Sequence, residues 1–475
     1  MRRIFFAAAI FTAAFMAGFS PALAAPQITL SQGTLSGGDE DGVAVYKGIP
    51  FAAPPVGDLR WRAPQAAPHW SGVKRATQFG AICPQAPVDS ENGEQRQGMP
   101  ESEDCLTANV WSPDPNSKTK LPVMVWIYGG AFRVGSSAAA IYDGTDLAKH
   151  GVVVVSFNYR LGVLGFFAHP ALSAETPDGP TANYGLMDQI AALKWVKDNI
   201  ARFGGDADNV TIFGESAGAM SVNDLMVSPL ARGLFNKAIS QSGLGLVPIA
   251  ARSDAAAVAT AMAEHFGVHG DDAQTLAALR AIDVNTLMEA EQTMPATAIS
   301  PIVDGVIIPA QPSVLFAEGK IAKAAYLAGS NSDEATLIKW LGTTPDQLFA
   351  PFGDKLPEVR ALYERDGKLT DKQFFHLVFD DAVFASGASA LAGFAAEAGQ
   401  PAYVYHFGYI ADALRGHVDG VGHAGELAYV FGLRGLKKDP GLAHLANAAT
   451  RNDLGIVGMM QDYWTNFAKT GNPNA

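Results

Sequence analysis

Short apolar runs alternate with amphipathic segments from Leu121 onward. The runs 123–128, 152–157 and 209–213 are almost continuously apolar, so each predicts a strand that is buried on both faces. Residues 190–203 carry apolar side chains at helical spacing. Strands that alternate with helices predict an α/β fold with a mostly parallel sheet covered by helices on both faces. Because ligands bind beyond the carboxyl ends of such strands, functional residues should directly follow them.

Two Ala-rich segments, residues 252–290 and 380–400, show helical periodicity and predict helices that pack outside the sheet. They are interpreted either as part of a cap over the site or as ordinary covering helices, and the second interpretation has at least equal support. No internal repeat or long linker divides the sequence. We therefore expect residues 25–475 to form a single domain.

The first residues predict an export signal. Two arginines precede an apolar run over residues 4–18, which is short for a membrane span, and Ala22-Leu23-Ala24 supplies the small residues of a cleavage site. We predict a signal peptide over residues 1–24 that is cleaved before Ala25, with a membrane anchor as the alternative. The mature protein is then expected in the periplasm or outside the cell, without a membrane span.

Charge and cysteine content narrow the choice of partners. The formal net charge of −13 argues against nucleic acid and anionic membranes as partners. After export, Cys83 and Cys105 would meet an oxidising compartment, where a cysteine pair usually forms a disulfide. Two cysteines alone make a poor metal site, so we expect no metal or cofactor. The sequence does not indicate an oligomeric state.

A candidate nucleophile follows the third apolar run. Residues 214–218 read Gly-Glu-Ser-Ala-Gly, and a helical segment begins at Ala219. This is the G-x-S-x-G pattern in the strand–turn–helix context that exposes a serine hydroxyl on a sharp turn. A side chain at either glycine would collide with neighbouring chain, and the helix N-terminus favours developing negative charge. The pattern predicts Ser216 as a nucleophile that needs a base and oxyanion donors.

Small residues follow the first apolar run, where residues 129–132 read Gly-Gly-Ala-Phe. Such residues let backbone N–H groups face a ligand, and in α/β-hydrolases a further donor is the residue after the nucleophile. We therefore predict that Gly130, Ala131 and Ala217 form an oxyanion hole. A Gly-rich turn without a ligand is the alternative interpretation.

The base is sought among the histidines after Ser216, because the order in α/β-hydrolases is serine, acid, histidine. His417 and His423 lie in a Gly-rich loop at 416–425, and His423 directly precedes a predicted helix start. We expect His423 to be the base, with His417 as the second candidate.

The acid is sought after the short strand predicted at residues 325–328. Asp333 and Glu334 follow it, and either could orient the imidazole and stabilise its charged form. Composition does not choose between them. Asp304 is a weaker candidate because it fits a turn residue equally well.

In these residues and their surrounding motifs, the chain resembles the type-B carboxylesterase family, which includes cholinesterases and bacterial para-nitrobenzyl esterases. The resemblance implies the α/β-hydrolase fold and a serine carboxylesterase that acts on small-molecule esters. It covers most of the mature chain, through motifs at 47–52, 54–60, 102–106, 158–162, 183–189, 203–206 and 210–218.

The resemblance also implies roles for individual residues. Residues 331–334 match the family's acid loop, whose second acidic residue completes the triad, which implies Glu334. Residues 420–423 match its histidine loop, which implies His423. Ser242 matches a buried serine beside the triad and is expected to support it.

Further pairings and departures concern the surroundings of the site. The resemblance implies a disulfide between Cys83 and Cys105 and an ion pair between Arg60 and Glu103. Ala131 replaces the third glycine of the usual oxyanion loop, but its N–H is retained, so we expect a hole with a narrower entrance. No aromatic residue lies between the cysteines, where cholinesterases hold a quaternary ammonium against a Trp, which disfavours choline esters.

The sequence stops at Ala475, whereas family members usually continue for several tens of residues, so we expect either that the last family segment is absent or that this copy is truncated. Two rival functions stay open at this point. A lipase would need a groove for long acyl chains, and a non-catalytic binding homologue would usually lack a triad residue. All three triad residues are present, which favours the esterase.

Overall fold

The computed structural model describes residues 26–86, 99–177, 179–295 and 298–475. The predicted signal peptide, residues 1–24, lies outside the described residues. The strands are β1 (Gln27–Leu30), β2 (Gly33–Ser36), β3 (Gly38–Glu40), β4 (Val43–Pro50), β5 (Val73–Arg75), β6 (Thr107–Ser112), β7 (Leu121–Ile127), β8 (Val153–Phe157), β9 (Gly205–Glu215), β10 (Lys237–Gln241), β11 (Ala250–Ala251), β12 (Ile302–Val303), β13 (Ala325–Asn331) and β14 (Ala402–Phe407).

Helices connect and cover these strands. They are α1 (Thr145–Lys149), α2 (Gly162–Phe166), α3 (Pro170–Glu175), α4 (Tyr184–Asn199), α5 (Ala217–Val227), α6 (Arg252–His265), α7 (Ala273–Arg280), α8 (Val284–Gln292), α9 (Pro312–Ala317), α10 (Ile338–Leu341), α11 (Pro345–Phe349), α12 (Leu356–Tyr363), α13 (Asp371–Phe379), α14 (Ser386–Glu397), α15 (Leu427–Val430), α16 (Arg434–Lys438), α17 (Ala443–Ala448) and α18 (Arg451–Thr470).

Within the described residues, a sheet of nine strands forms the centre of the fold, in the order β14-β13-β10-β9-β7-β8-β6-β4-β3. Neighbouring strands from β14 to β8 are all parallel, and β6, β4 and β3 continue the sheet antiparallel. The prediction of a mostly parallel sheet with helices around it is therefore confirmed. The carboxyl ends of β9, β10 and β13 lie side by side, which brings the loops that follow them together.

The predicted strands match β7, β8 and the end of β9, and the residues of β8 are buried along its whole length. A strand covered on both faces has no solvent side, which explains why its sequence is continuously apolar rather than alternating. The helix predicted over 190–203 is the second half of α4 followed by a 3-10 turn at Ile200–Phe203.

The Ala-rich segments are helical, as predicted. The first contains α6, α7 and α8. The second lies in a continuous helix, Asp371–Glu397, that is long and apolar enough to cross a membrane by length and composition. This helix contains a π-helical turn at Asp380–Ala385. Buried side chains on α14, including Leu391 and Ala395, join the main apolar core, so this part of the helix covers the sheet.

Candidate active site

Ser216 occupies the sharp turn between β9 and α5. Its backbone has φ 55° and ψ −123°, in the left-handed region that a non-glycine residue rarely adopts. The N–H of Ser216 donates to the carbonyl of Gln241 at the end of β10, 2.9 Å away, which helps to hold this conformation. A Cβ at Gly214 would collide with the backbone of Gly218, and one at Gly218 would collide with the carbonyl oxygen of Ile127. The turn therefore requires both glycines.

A buried carboxylate orients the imidazole of His423. Nδ1 of His423 lies 2.6 Å from Oε2 of Glu334, whose side chain is fully buried. The other oxygen of Glu334 accepts two hydrogen bonds, from the N–H of Asn331 at 2.7 Å and from the hydroxyl of Ser242 at 2.5 Å. These donors satisfy a carboxylate that would otherwise be costly to bury. His423 and Ser216 line the same cavity.

Hydrogen bonds join the loop after β13 to the histidine loop. The N–H of His423 donates to Oγ1 of Thr336 at 2.9 Å, and the N–H of Asp333 donates to the carbonyl of Val421 at 2.9 Å. The hydroxyl of Ser332 accepts from the N–H of Val421 at 2.9 Å. These hydrogen bonds fix the two loops relative to each other. The position of the imidazole relative to Glu334 is therefore determined by backbone contacts as well as by the carboxylate.

The alternative candidates lie away from this arrangement. The carboxylate of Asp333 points to His376, 3.9 Å from its Nδ1, and not to the imidazole of His423. His417 is exposed. Asp304 is a turn residue: one of its oxygens accepts the N–H groups of residues 306, 307 and 308.

Glu215, which was not among the predicted site residues, lies beside the second ring nitrogen of His423. Its Oε1 lies 3.0 Å from Nε2 of His423, and the Glu215 side chain is almost completely buried. Glu215 occupies the first variable position of the G-x-S-x-G pattern, and an acidic residue directly before the nucleophile is a sequence feature that could have indicated it. Nε2 is the nitrogen that a base would use to accept the proton of Ser216.

The pKa values reflect this burial and charge. Burial raises the pKa of Glu215 to about 8, while the imidazole of His423 acts in the opposite direction. Burial disfavours the charge on His423, yet the carboxylates of Glu215 and Glu334 outweigh it and raise the pKa of His423 to about 9.

A second buried acid, Glu426, supports the loops behind the triad. Its side chain accepts from the amide of Asn331 at 2.6 Å and from the amide of Gln241 at 2.9 Å. Gln241 in turn accepts from the indole N–H of Trp464 at 2.9 Å. Burial raises the pKa of Glu426. The network ties β10, β13 and α18 together beneath the site, and the sequence offered no motif for it.

The loop after β7 has the conformation expected of an anion-binding turn. Gly130, Ala131 and Phe132 all have positive φ, at 104°, 54° and 62°. Consecutive residues of this kind can direct their N–H groups into one concave surface. The N–H groups of Gly130, Ala131 and Ala217 have no partner among the backbone hydrogen bonds of the described loops and turns. All three residues line the cavity with Ser216, so these donors are available to a ligand.

The cavity above Ser216 has a volume of about 1000 Å³. Its wall is mainly apolar. Most of it comes from the segments that follow β7, β9, β10 and β13, and Asp254 of α6 and the histidine loop also contribute. Phe384 of the π-helical turn packs beside the His423 ring, with the ring centres 5.4 Å apart. The residues that give the wall its apolar character include Phe132, Ile141, Leu244, Val247, Leu337 and Trp340.

The predicted disulfide is present between Cys83 and Cys105. The predicted ion pair is also present: Arg60 contacts both oxygens of Glu103, at 2.5 and 2.8 Å. Among the described residues, no group of three or more His, Cys, Asp or Glu side chains is arranged to hold a metal ion.

The sheet order and the serine turn define an α/β-hydrolase fold. The structure matches a solved PNB esterase with a TM-score of 0.79 at 35% sequence identity, over 94% of this chain and 91% of that chain. The sequence model of the carboxylesterase family matches residues 24–475. The chain therefore belongs to the carboxylesterase family, and it is a carboxylic ester hydrolase.

Two relatives illustrate the range of this family. The chain is 37% identical over 454 residues to fumonisin B1 esterase of Sphingopyxis macrogoltabida, covering 92% of this chain and 81% of that protein. It is 36% identical over 472 residues to para-nitrobenzyl esterase of Bacillus subtilis (strain 168), covering 94% of this chain and 90% of that protein.

Proposed function

We propose that this carboxylesterase is an exported enzyme that hydrolyses small-molecule carboxylic esters through a covalent acyl-enzyme on Ser216. The observation that carries the proposal is the buried contact of 2.6 Å between Nδ1 of His423 and Oε2 of Glu334, at a cavity that Ser216 also lines. A carboxylate at Nδ1 fixes the tautomer in which Nε2 can accept a proton.

In the first step, Oγ of Ser216 bonds to the ester carbonyl carbon while Nε2 of His423 takes the hydroxyl proton. Because Nε2 contacts Glu215 in the free protein, the imidazole must exchange this contact for Ser216 to act as the base. Glu334 stabilises the imidazolium that forms. Collapse of the tetrahedral intermediate breaks the ester C–O bond, and the imidazolium protonates the departing alcohol.

In the second step, His423 takes a proton from water as the water oxygen bonds to the acyl carbon. Collapse of this second tetrahedral intermediate breaks the bond between the acyl carbon and Oγ of Ser216, and the imidazolium returns the proton to Oγ as the carboxylic acid leaves. Both tetrahedral intermediates carry a negative oxygen. The N–H groups of Gly130, Ala131 and Ala217 are proposed to bind it. Stabilisation of this kind is usually the largest single term in the rate enhancement of an enzyme. This route requires no metal or cofactor.

The test is turnover of a short-chain nitrophenyl ester by Ser216→Ala and His423→Ala. We expect each variant to lose at least about 10³-fold in kcat. A panel of esters with longer acyl chains separates an esterase from a lipase. Near wild-type turnover in either variant, with the purified protein free of other esterases, would refute the role given to that residue.

Export is a separate part of the proposal. It is supported by the sequence of residues 1–24 and by the disulfide between Cys83 and Cys105, a bond typical of oxidising compartments. Expression of the full chain followed by N-terminal sequencing should give a mature protein that begins at Ala25, outside the cytoplasm. A cytoplasmic protein that retains residues 1–24 would contradict export.

A further inference from the structure

We propose that the active-site cavity selects uncharged and cationic esters against esters that carry a carboxylate, and that Asp254 at its mouth is a specificity-determining residue. This inference rests on the proposed function, because it concerns which esters the same site accepts. It is drawn from the charges that surround the cavity.

The charged groups around the cavity are acidic, apart from the histidine of the triad. Among the described residues that line it, none is Lys or Arg, and the carboxyl and imidazole side chains are those of Asp254, Glu215 and His423. Two more buried acids, Glu334 and Glu426, lie behind His423. An ester that carries a carboxylate therefore meets the exposed carboxyl group of Asp254, and the described lining offers it no Lys or Arg side chain as a partner.

The nearest cations along the chain are directed elsewhere. Arg133 follows the oxyanion loop, but its guanidinium is paired with Glu291 at 3.2 Å and donates to the Glu291 carbonyl at 2.7 Å. Arg252 lies two residues from Asp254 on α6, and Lys339 lies one residue from a cavity-lining position on α10. Neither of these two residues is among those that line the cavity.

The apolar wall strengthens this selection. A carboxylate that moves from water to an apolar surface loses its hydration, and without a hydrogen-bonding partner there this loss of free energy is not offset. An uncharged ester of the same shape gains from the same wall. A cationic ester also loses hydration, but the surrounding carboxylates offset this loss.

Asp254 is the charge in this set that can be changed without touching the triad. It lies in the first turn of α6, is exposed to solvent and lines the cavity, so it stands where substrate enters. An exposed charge is partly screened, and its effect on an entering carboxylate should be about three- to tenfold at low ionic strength and smaller at high salt.

Three esters of similar length isolate the effect of charge. They are 4-nitrophenyl hydrogen adipate, which is anionic, methyl 4-nitrophenyl adipate, which is neutral, and 4-nitrophenyl 6-(trimethylammonio)hexanoate, which is cationic. The quantity measured is the ratio of kcat/KM for each charged ester to kcat/KM for the neutral ester. This ratio cancels differences in enzyme concentration and in general activity.

The variants are Asp254→Asn and, as a matched control, Glu264→Gln. Glu264 is an exposed acid on the same helix, and it does not line the cavity. For the wild type we expect the anionic ester to be at least about tenfold poorer than the neutral ester and the cationic ester to be at least as good. Asp254→Asn should raise the anionic ratio about three- to tenfold at low salt, whereas Glu264→Gln should leave it unchanged.

If the wild type hydrolyses the anionic ester with nearly the same kcat/KM as the neutral ester, the proposed selection is overturned. It is also overturned if the cationic ester is as poor a substrate as the anionic one, because the cavity would then select by polarity alone. Equal anionic ratios in Asp254→Asn and Glu264→Gln would overturn the role of Asp254. Failure to hydrolyse even the neutral ester would instead refute the proposed function itself.

Discussion

Replacing Glu334 with Gln should disable the triad while leaving its shape intact. One oxygen of Glu334 accepts from the N–H of Asn331 and from the hydroxyl of Ser242, and the other contacts Nδ1 of His423. In the Gln variant the carbonyl oxygen must stay with the two donors. The amide NH₂ then faces Nδ1 and donates to it, so the neutral imidazole carries its proton on Nε2, where it cannot act as a base.

The magnitude follows from this tautomer. Comparable amide substitutions in catalytic triads lower kcat about 10⁴-fold, which corresponds to about 5 kcal/mol in the activation free energy. We expect Glu334→Gln to lose about 10³- to 10⁴-fold in kcat on a neutral nitrophenyl ester. Its unfolding temperature should change little, because the side chain keeps its volume.

Asp333→Asn is the matched control, because Asp333 is adjacent in sequence but points to His376. Its kcat should stay within about tenfold of the wild type. The reasoning is refuted if Glu334→Gln retains more than a tenth of wild-type kcat, or if Asp333→Asn costs more activity than Glu334→Gln.

Three further predictions test other parts of the structure. Together with Glu334, Glu215 raises the pKa of His423 to about 9, and Glu215→Gln removes this contribution. The acid limb of the pH profile of kcat/KM, where activity appears as the imidazole loses its proton, should therefore move to lower pH by about one unit or more. An unmoved acid limb would contradict this. Asp224 is buried on α5, its Oδ2 has no partner among the described residues, and burial raises its pKa to about 8. The folded protein thus keeps a proton on Asp224 that the unfolded chain releases from about pH 4, so the free energy of unfolding should fall as the pH rises from about 4 to 8. Asp224→Asn should remove this fall and add about 1–3 kcal/mol to the free energy of unfolding at pH 8. The prediction is wrong if the wild type and the variant show the same change in unfolding temperature between pH 5 and pH 8. Gly130→Ala places a Cβ against the carbonyl of Val134 and should lower kcat about 10²-fold by displacing the oxyanion loop, and unchanged kcat would mean that this loop does not bind the oxyanion.

The parts of the site that are local in sequence could be predicted. The strand, the two glycines and Ser216 are contiguous, and steric demands of the turn determine which residues fit. The mostly parallel sheet also followed from the continuous apolar runs, because strands covered on both faces have no polar side.

The parts that depend on contacts between distant segments could not be predicted from residue types alone. Asp333 and Glu334 are neighbours, and the path of the chain after β13 decides which carboxylate reaches the imidazole; only the family resemblance indicated Glu334. The contact of Glu215 with Nε2 and the buried network of Glu426 depend on how β9, β10 and the histidine loop meet in space.

The most direct test of the central claim is to find where a fluorophosphonate reacts. Diisopropyl fluorophosphate should add one phosphoryl group per protein, peptide mapping by mass spectrometry should locate it on Ser216, and His423→Ala should label far more slowly. Stoichiometric labelling of another residue would contradict the account. So would a protein that, after treatment with diisopropyl fluorophosphate, carries no phosphoryl group and still hydrolyses esters at its full rate.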